Sequence, residues 1–417
     1  MPFPKKVLII GGGFGGLRAG LDLVRHNYAD LEITLIDKTG WHYFPPEYYK
    51  LIYFQKGDDI TREFYEKESH RFAIPLYEIF STEGGSAFSG GKNKKNFKLV
   101  VDEAIKINLK QNEVITKSGA KIDYDYLILA LGSETEYFGN SSLKEFAYPF
   151  KTVQDALNIR NIIDELFFKK AKYEPIKILI VGGGVTGCEV GANLAETVSR
   201  LAKIHSHPQK NISIEIMEGA PNILSQLSDF ARNRVLRRLE NLGVKITTNN
   251  TIVEAKKGEA INKQGEIIPY DFLIWTVGVK ACGITEKLNI KLEKKGLVSV
   301  DEYLRIPDFQ NVFAVGDISC FKDFEGKPLA MTAQNAVWQG SYIAYTIKRL
   351  IHGRRIYKFH PKKFGFIMPL GKNYGVADLG WFKIWGLPAI WMRRLANLRY
   401  LLGILPLRRA LFYWRKW

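Results

Sequence analysis

One pattern is written twice in this chain, and it constrains the fold more than any other feature. Val7–Ile10 is a short continuous apolar run, as expected of a strand buried on both faces. It leads into Gly11-Gly12-Gly13-Phe14-Gly15-Gly16, then a helical stretch to about His26, then a second strand, Glu32–Ile36, that ends at Asp37. Further along, Ile178–Val181 leads into Gly182-Gly183-Gly184-Val185-Thr186-Gly187, and a strand over Ser213–Met217 ends at Glu218. Each is a βαβ unit with glycines at GxGxxG spacing and an acid at the end of its second strand. The first glycine permits the tight turn, the second lets the backbone approach a pyrophosphate, and the third packs helix against strand. The helix N-terminus faces the anion. A Gly-rich turn and a strand-ending carboxylate would explain one such match; two in one chain make coincidence a poor account.

Two dinucleotide sites in series imply that electrons pass from one nucleotide to another, and nicotinamide and flavin are the obvious pair. Glu218 is placed to accept from both ribose hydroxyls and to repel a 2′-phosphate, and no Arg adjoins it, so NADH is favoured over NADPH. Three further apolar strands run into glycine turns: Tyr126–Leu131 into Gly132-Ser133, Phe272–Val277 into Gly278, and Val312–Val315 into Gly316-Asp317. Asp317, just after a central strand, suits a ribityl hydroxyl; a helix-capping role is compatible with the same position. Between the two units, Ser81–Lys98 is rich in Gly, Ser and Lys and reads as a surface hairpin. Leu99–Lys117 reads as short strands with turns at Asn108–Asn112.

The length of 417 residues implies two or three domains. Three cysteines (Cys188, Cys282, Cys320), none in a CxxC or CxxxxC arrangement, exclude a disulfide framework, a zinc ribbon and a local redox pair. No metal site is expected. Lys5-Lys6 runs directly into the first strand, so no leader is expected, and no apolar run is long enough to suggest a membrane span. The net charge of +17 is concentrated at one end: Ser341–Trp417 holds sixteen Lys/Arg, one acid (Asp378) and five of the eight tryptophans. That composition admits nucleic acid or anionic lipid as partner. The tryptophans favour lipid, where amphipathic rings and cationic side chains settle together. Pro388–Leu405, then Pro406, then a second basic aromatic segment reads as two helices lying in the membrane interface. Removing Trp381–Trp417 is then expected to release a soluble protein that still transfers electrons from NADH.

The motifs Gly11–Gly16, Ala130–Ser133, Gly182–Gly187, Trp275–Gly278 and Ala314–Asp317 resemble, in order, those of flavoproteins with two dinucleotide-binding domains. Asp125–Gly139, Gly182–Glu189, Thr332-Ala-Gln-Asn-Ala-Val-Trp-Gln339 and the basic aromatic C-terminus narrow the resemblance to the type II NADH dehydrogenases, single-subunit NADH:quinone oxidoreductases that do not pump protons. The resemblance implies an α/β fold with two Rossmann-like domains and amphipathic C-terminal membrane-anchoring helices. The implied divisions are 1–150 and 278–345 for FAD, 151–277 for NADH, and 346–417 for membrane association. It places Gly11, Gly13, Phe14, Gly15, Gly16, Asp37, Lys38, Gly132 and Asp317 at FAD. Gly182, Gly184, Thr186, Gly187, Glu218 and Gly278 fall at the cofactors of the NADH side, and Ala333 and Gln334 beneath the flavin ring. Glu189 matches a Glu of the redox cycle, and Lys372 a basic residue near the quinone pocket.

The chain departs from the family's AQxAxQ segment, because Trp338 stands where the second Gln is usual and Gln339 follows one position later. One position is about 100° around a helix, so Gln339 is no simple replacement. Trp338 either shapes the quinone site or packs the helix. His42–Tyr49, a variant of the family's His/Phe/Pro stretch, is assigned no individual role. The implied partners are a quinone and an anionic membrane surface, with no nucleic acid, peripheral attachment on the cytoplasmic face, and room for a homodimer. Two alternatives stand beside this reading: a sulfide:quinone oxidoreductase-like flavoprotein, which needs a cysteine pair near the flavin, and a non-catalytic membrane-tethered nucleotide-binding protein.

Overall fold

Two runs of β-branched and leucine residues form the central strands of two parallel sheets. Both runs are too apolar to lie anywhere else. In the computed structural model, which describes residues 4–25, 30–53, 67–82, 96–323 and 325–417, the first sheet is built from β1 (Lys5–Ile10), β2 (Leu31–Asp37), β3 (Phe97–Val101), β4 (Tyr126–Leu129) and a late strand, Val312–Ala314. Its order is Val312–Ala314, β4, β1, β2, β3, all parallel, with Val7 in register with Ile33 on one side and Tyr126 on the other. The second sheet is built from β5 (Ile176–Val181), β6 (Ile212–Met217), β7 (Val244–Thr247) and β8 (Phe272–Trp275), with the two-residue strand Tyr148–Pro149 beyond β8. Its order, Tyr148–Pro149, β8, β5, β6, β7, repeats the first in four strands; the outer strand beside β8 precedes the others in sequence, where its counterpart in the first sheet follows them. The expected hairpin over Ser81–Lys98 falls mostly outside the described residues; its flanks are a helix, Leu76–Thr82, and β3.

Each glycine loop opens a helix, α1 (Phe14–Val24) in the first unit and α2 (Val185–Ile204) in the second. α3 (Ala333–Ile351) lies across α1, and a Cβ on Gly340 would stand 2.3 Å from the carbonyl oxygen of Gly15. Small residues are what allow these two backbones to touch. The sheets are joined by an antiparallel ribbon of Ser133–Thr135 against Val279–Ala281. After α3 come three short antiparallel strands, Phe366–Pro369, Gly375–Asp378 and Lys383–Gly386, then α4 (Leu387–Ile404) and α5 (Leu407–Lys416). The break between the last two falls at Leu405-Pro406, as the sequence predicts. Among the described residues no helix is long and apolar enough to cross a membrane.

The last two helices do not lie apart from the body. Ala389, Asn397, Leu401, Ile404, Ala410, Tyr413 and Trp417 are buried. Gly403's carbonyl, in the last turn of α4, accepts from Arg18 and Arg25 of the α1 region, cations that suit a helix C-terminus. Trp417 stacks on Phe44 at 4.6 Å. Their outer faces carry exposed Leu387, Trp391, Leu395, Leu402, Leu407 and Phe412, and Trp381 nearby is 90% exposed.

Candidate active site

Both glycine loops have the geometry that their sequence predicts. Gly11 and Gly182 have φ of +105° and +108°, where L side chains are strained, and a Cβ on Gly16 or Gly187 would stand 1.9 Å from the carbonyl of Gly11 or Gly182. Gly13 and Gly184 cap α1 and α2 in extended conformation with no side-chain cap, and a Cβ on either would meet nothing within 4 Å. Each helix thus presents uncapped N–H groups across a glycine to open space. Such a cradle fits a pyrophosphate.

The two strand-ending acids serve their own loops. Asp37 Oδ2 accepts from the Gly12 N–H at 2.8 Å, and its Oδ1 accepts from the N–H groups of Thr39 and Gly40 and from the Thr39 hydroxyl. Glu218 Oε2 accepts from the Gly183 N–H at 2.7 Å and its Oε1 from the Ala220 N–H. A carboxylate has about four acceptor sites, so each oxygen of Glu218 keeps one for a ribose hydroxyl, whereas on Asp37 only Oδ2 does. Thr186 is part-buried in the first turn of α2, and Lys38 is exposed just after β2.

The strand-end glycines Gly132, Gly278 and Gly316 all have positive φ and close the frame between the sheets. Ser133 donates to Asp317 Oδ2 at 2.6 Å, and Lys151 donates to Ser133 at 2.7 Å and lies 3.4 Å from Asp317. Sequence reasoning missed Lys151, which has no motif around it. Asp317 sits in a single 3-10 turn and does not cap a longer helix. α3 begins beside this cluster: its first turn carries Ala333 and exposed Gln334, and buried Gln339 accepts from the Gly316 N–H at 2.6 Å. Gln339 therefore holds the loop that carries Asp317. Trp338, on another face, donates its indole N–H to the carbonyl of His360, with the Lys362 ammonium 3.5 Å from its ring centre.

Glu189 lies in the first turns of α2, near a charged cluster that the sequence reading did not foresee. Burial raises its carboxyl to about 8; Arg393 opposes the shift and Glu47 adds to it. Glu47 is fully buried and is met by Lys50 at 2.5 Å, Arg393 at 3.1 Å and the Asn397 amide at 2.8 Å. Burial alone would raise the Glu47 carboxyl; Lys50 and Arg393 outweigh it and hold it below its ordinary value. Arg393 also donates to the carbonyls of Pro46 and Ile367. Two of these groups come from α4, so cutting the chain at Trp381 would strip Glu47 of partners and uncover Phe44. Trp381–Trp417 is therefore part of the folded body, and its removal is expected to destabilise what remains as well as to release it from lipid. Lys372 is exposed in the turn after Phe366–Pro369. Its N–H donates to Glu196, which Tyr53 and Arg238 also reach. Glu196 lies seven residues beyond Glu189, about 10 Å along α2, so the contacts that fix Lys372 run to α2 and not to α3.

All three cysteines are free: Cys188 is buried beside Gly183, Cys320 is buried in the cluster behind the first sheet, and Cys282 sits in the turn after the ribbon. Among the described residues no group of three or more His, Cys, Asp or Glu could hold a metal ion.

Comparison with known proteins adds the following. Residues 5–340 match the family described as pyridine nucleotide-disulphide oxidoreductase. The type II NADH:quinone oxidoreductase of Staphylococcus epidermidis is 29% identical over 411 residues, covering 96% of each chain. That of Staphylococcus saprophyticus is 28% identical over 405 residues, 95% of this chain and 94% of its own. Among solved structures, NDH2 of Plasmodium falciparum in complex with NADH superimposes with a TM-score of 0.81 at 20% identity, covering 98% of this chain and 96% of that one. The sulfide:quinone oxidoreductase of Aquifex aeolicus gives 0.74 at 19% identity, over 95% of this chain and 90% of that one.

Proposed function

The chain belongs to the pyridine nucleotide-disulphide oxidoreductase family, and on that premise we propose that it is an FAD-dependent NADH:quinone oxidoreductase, of the type II kind that pumps no protons. The carrying observation is the pair of matched, uncapped glycine loops on two sheets joined by the Ser133–Thr135 and Val279–Ala281 ribbon, with the raised carboxyl of Glu189 at the start of α2. Long-range likeness to relatives that bear that activity supports it.

In this reading the first loop, with Asp37, Lys38, Gly132 and the Ser133–Lys151–Asp317 cluster, holds FAD. The second loop, with Thr186, Glu218 and Gly278, holds NADH. When bound, the flavin supplies the chemistry of accepting a hydride and giving up two electrons. The Gly13 and Gly184 cradles bind the pyrophosphates and so bring the reactive rings within reach of one another. Glu218 accepts from the NADH ribose and opposes a 2′-phosphate. Ala333, Gln334 and Trp338 border the acceptor side. Glu189, protonated over much of the neutral range, holds on its carboxyl a proton that a reduced quinone oxygen needs, and Lys372 stands exposed beside the Glu196 end of α2.

The same reading divides the chain into an FAD part (1–150 and 278–345), an NADH part (151–277) and a membrane-association part (346–417). The first sheet supports this by drawing strands from both 5–129 and 312–314. The exposed apolar and basic outer faces of α4 and α5 support peripheral attachment to anionic lipid. Attachment on the cytoplasmic face and pairing of two copies belong to the same proposal, testable by protease access to oriented vesicles and by sedimentation velocity. The central experiment is anaerobic. NADH should bleach the yellow flavin, and a ubiquinone or menaquinone analogue should restore it. A flavin that NADH leaves oxidised overturns the reading.

A further inference from the structure

The middle glycines of the two loops, Gly12 and Gly183, are both held at their N–H by the strand-ending acid. Their carbonyls are held differently. Gly183's carbonyl accepts from the Leu224 N–H at 2.9 Å, a backbone group of the same unit. Gly12's carbonyl lies 3.0 Å from Nδ1 of His42, and Nε2 of His42 lies 2.7 Å from the hydroxyl of Tyr400 on α4. His42 is fully buried, and its ring makes an edge contact with Phe14 at 5.2 Å; Tyr400 packs on Phe14 and Phe44 at 5.3 Å each.

The directions of these bonds follow from the groups. A carbonyl only accepts, so Nδ1 carries the proton. Burial keeps the ring neutral, so Nε2 is the acceptor and Tyr400 donates. The chain of donors runs from Tyr400 through His42 to Gly12. A trans peptide is planar, with C=O and N–H pointing opposite ways. Holding the Gly12 carbonyl inward therefore aims the Gly13 N–H outward, into the exposed cradle at the head of α1.

We propose that Tyr400 is a positioning residue for the first nucleotide site, acting through His42 on the Gly12–Gly13 peptide, so that docking of the C-terminal helix and retention of FAD are one linked equilibrium. This rests on the reading that the first loop holds FAD. Linkage is reciprocal: whatever detaches α4 loosens FAD, and FAD tightens α4 on the body.

The test uses full-length holoprotein and follows FAD release by the rise of free-flavin fluorescence. Tyr400→Phe keeps the ring and removes only the hydroxyl. It should release FAD about three- to tenfold faster, the worth of one hydrogen bond, while the NADH dissociation constant stays unchanged. In a His42→Asn background the same substitution should add nothing further. Hydrogen exchange on the wild-type chain gives a measurement that needs no variant: amides of Asn397–Ile404 should be slower with FAD bound than after flavin removal. Unchanged release in Tyr400→Phe, additive effects with His42→Asn, or exchange indifferent to flavin would each overturn the coupling alone. A wild-type chain that binds no FAD would instead overturn the reading of the first loop, and the coupling with it.

Discussion

The first and second glycine-loop units share the order of four strands, the same glycine angles and the same acid-to-middle-glycine bond, yet they differ in what lies behind the loop. The second is finished by its own backbone, through Leu224. The first borrows His42 from the stretch after β2 and Tyr400 from α4, nearly four hundred residues away. The fifth residue of each helix differs as well. Arg18 in α1 is bound by Asp22 and reaches Gly403 of α4, whereas Glu189 in α2 is a raised carboxyl beside the Glu47–Arg393 pair. The shared glycine geometry is what a pyrophosphate requires. On the proposed reading, a first loop held by remote side chains suits a retained cofactor, and a second loop closed by its own backbone suits a substrate that must come and go.

The largest expected effects fall at Gly13 and Gly184, where a side chain has room in the protein and none once a pyrophosphate is bound. Gly13→Val is expected to fold and to lose flavin almost wholly, at least about a hundredfold in affinity, while Gly184→Val keeps its flavin and raises the KM for NADH. Flavin-to-protein ratios after gel filtration read this directly, and a stoichiometric flavin in Gly13→Val would mean that the first loop has been misread. Next in size is Glu189→Gln, expected to lower quinone-dependent turnover by about a hundredfold, as loss of a proton donor does. It should abolish a titration near pH 8 in the kcat profile. The sign for stability is fixed by the raised carboxyl. The folded protein binds the proton more tightly than the unfolded chain, so this group costs stability progressively as pH rises from the ordinary Glu range to about 8. Thermal unfolding of the Gln variant should lose that dependence, and a pH slope identical to wild type would show that Glu189 carries no raised proton.

Smaller effects sharpen the contrast. Glu218→Gln is expected to narrow the NADH over NADPH preference in kcat/KM by about tenfold, a like-charge term of 1–2 kcal/mol. Equal values for both nucleotides in the wild-type enzyme would remove the basis for assigning that acid a selective role. Smallest is Trp338→Gln, which restores the usual family residue. It should shift quinone KM by about two- to fivefold, within what one reshaped apolar contact supplies. NADH reduction of the flavin should be untouched. A change confined to the NADH half-reaction would move Trp338 away from the acceptor side.

Most of the frame was legible in the sequence because it is written locally. Apolar runs, glycine spacing and Pro406 mark strands, loops and the break between the last two helices within windows of a few residues. What was not legible is the set of partners brought together from afar. Lys151, Arg393 and Tyr400 carry no local signature, and the His42–Tyr49 stretch gave His42 and Glu47 no individual role; their bonds to α4 span some 350 residues. The tail shows the division plainly. Its basic, Trp-rich composition announces an outward surface, and that surface is there. Composition could not say that Arg393, Asn397, Tyr400 and Trp417 turn inward, because the same residue types serve both faces.

The late strand Val312–Ala314 has a consequence for how the protein is made. Translation proceeds from the N-terminus, and parts of a chain fold as they emerge. Tyr148–Trp275 supplies every strand of the second sheet, so that sheet can form while about a hundred residues remain to be translated, although Met368, Leu370 and Val376 complete its core only later. The first sheet, although begun by the earliest residues, must wait for its edge strand, and its glycine loop waits longer still for Tyr400. Ribosomes stalled near residue 320, with about 30 residues still in the tunnel, would therefore expose every strand of the second sheet and an incomplete first one. The first unit would mature after the second, half-built until Val312–Ala314 and then Tyr400 have left the exit tunnel.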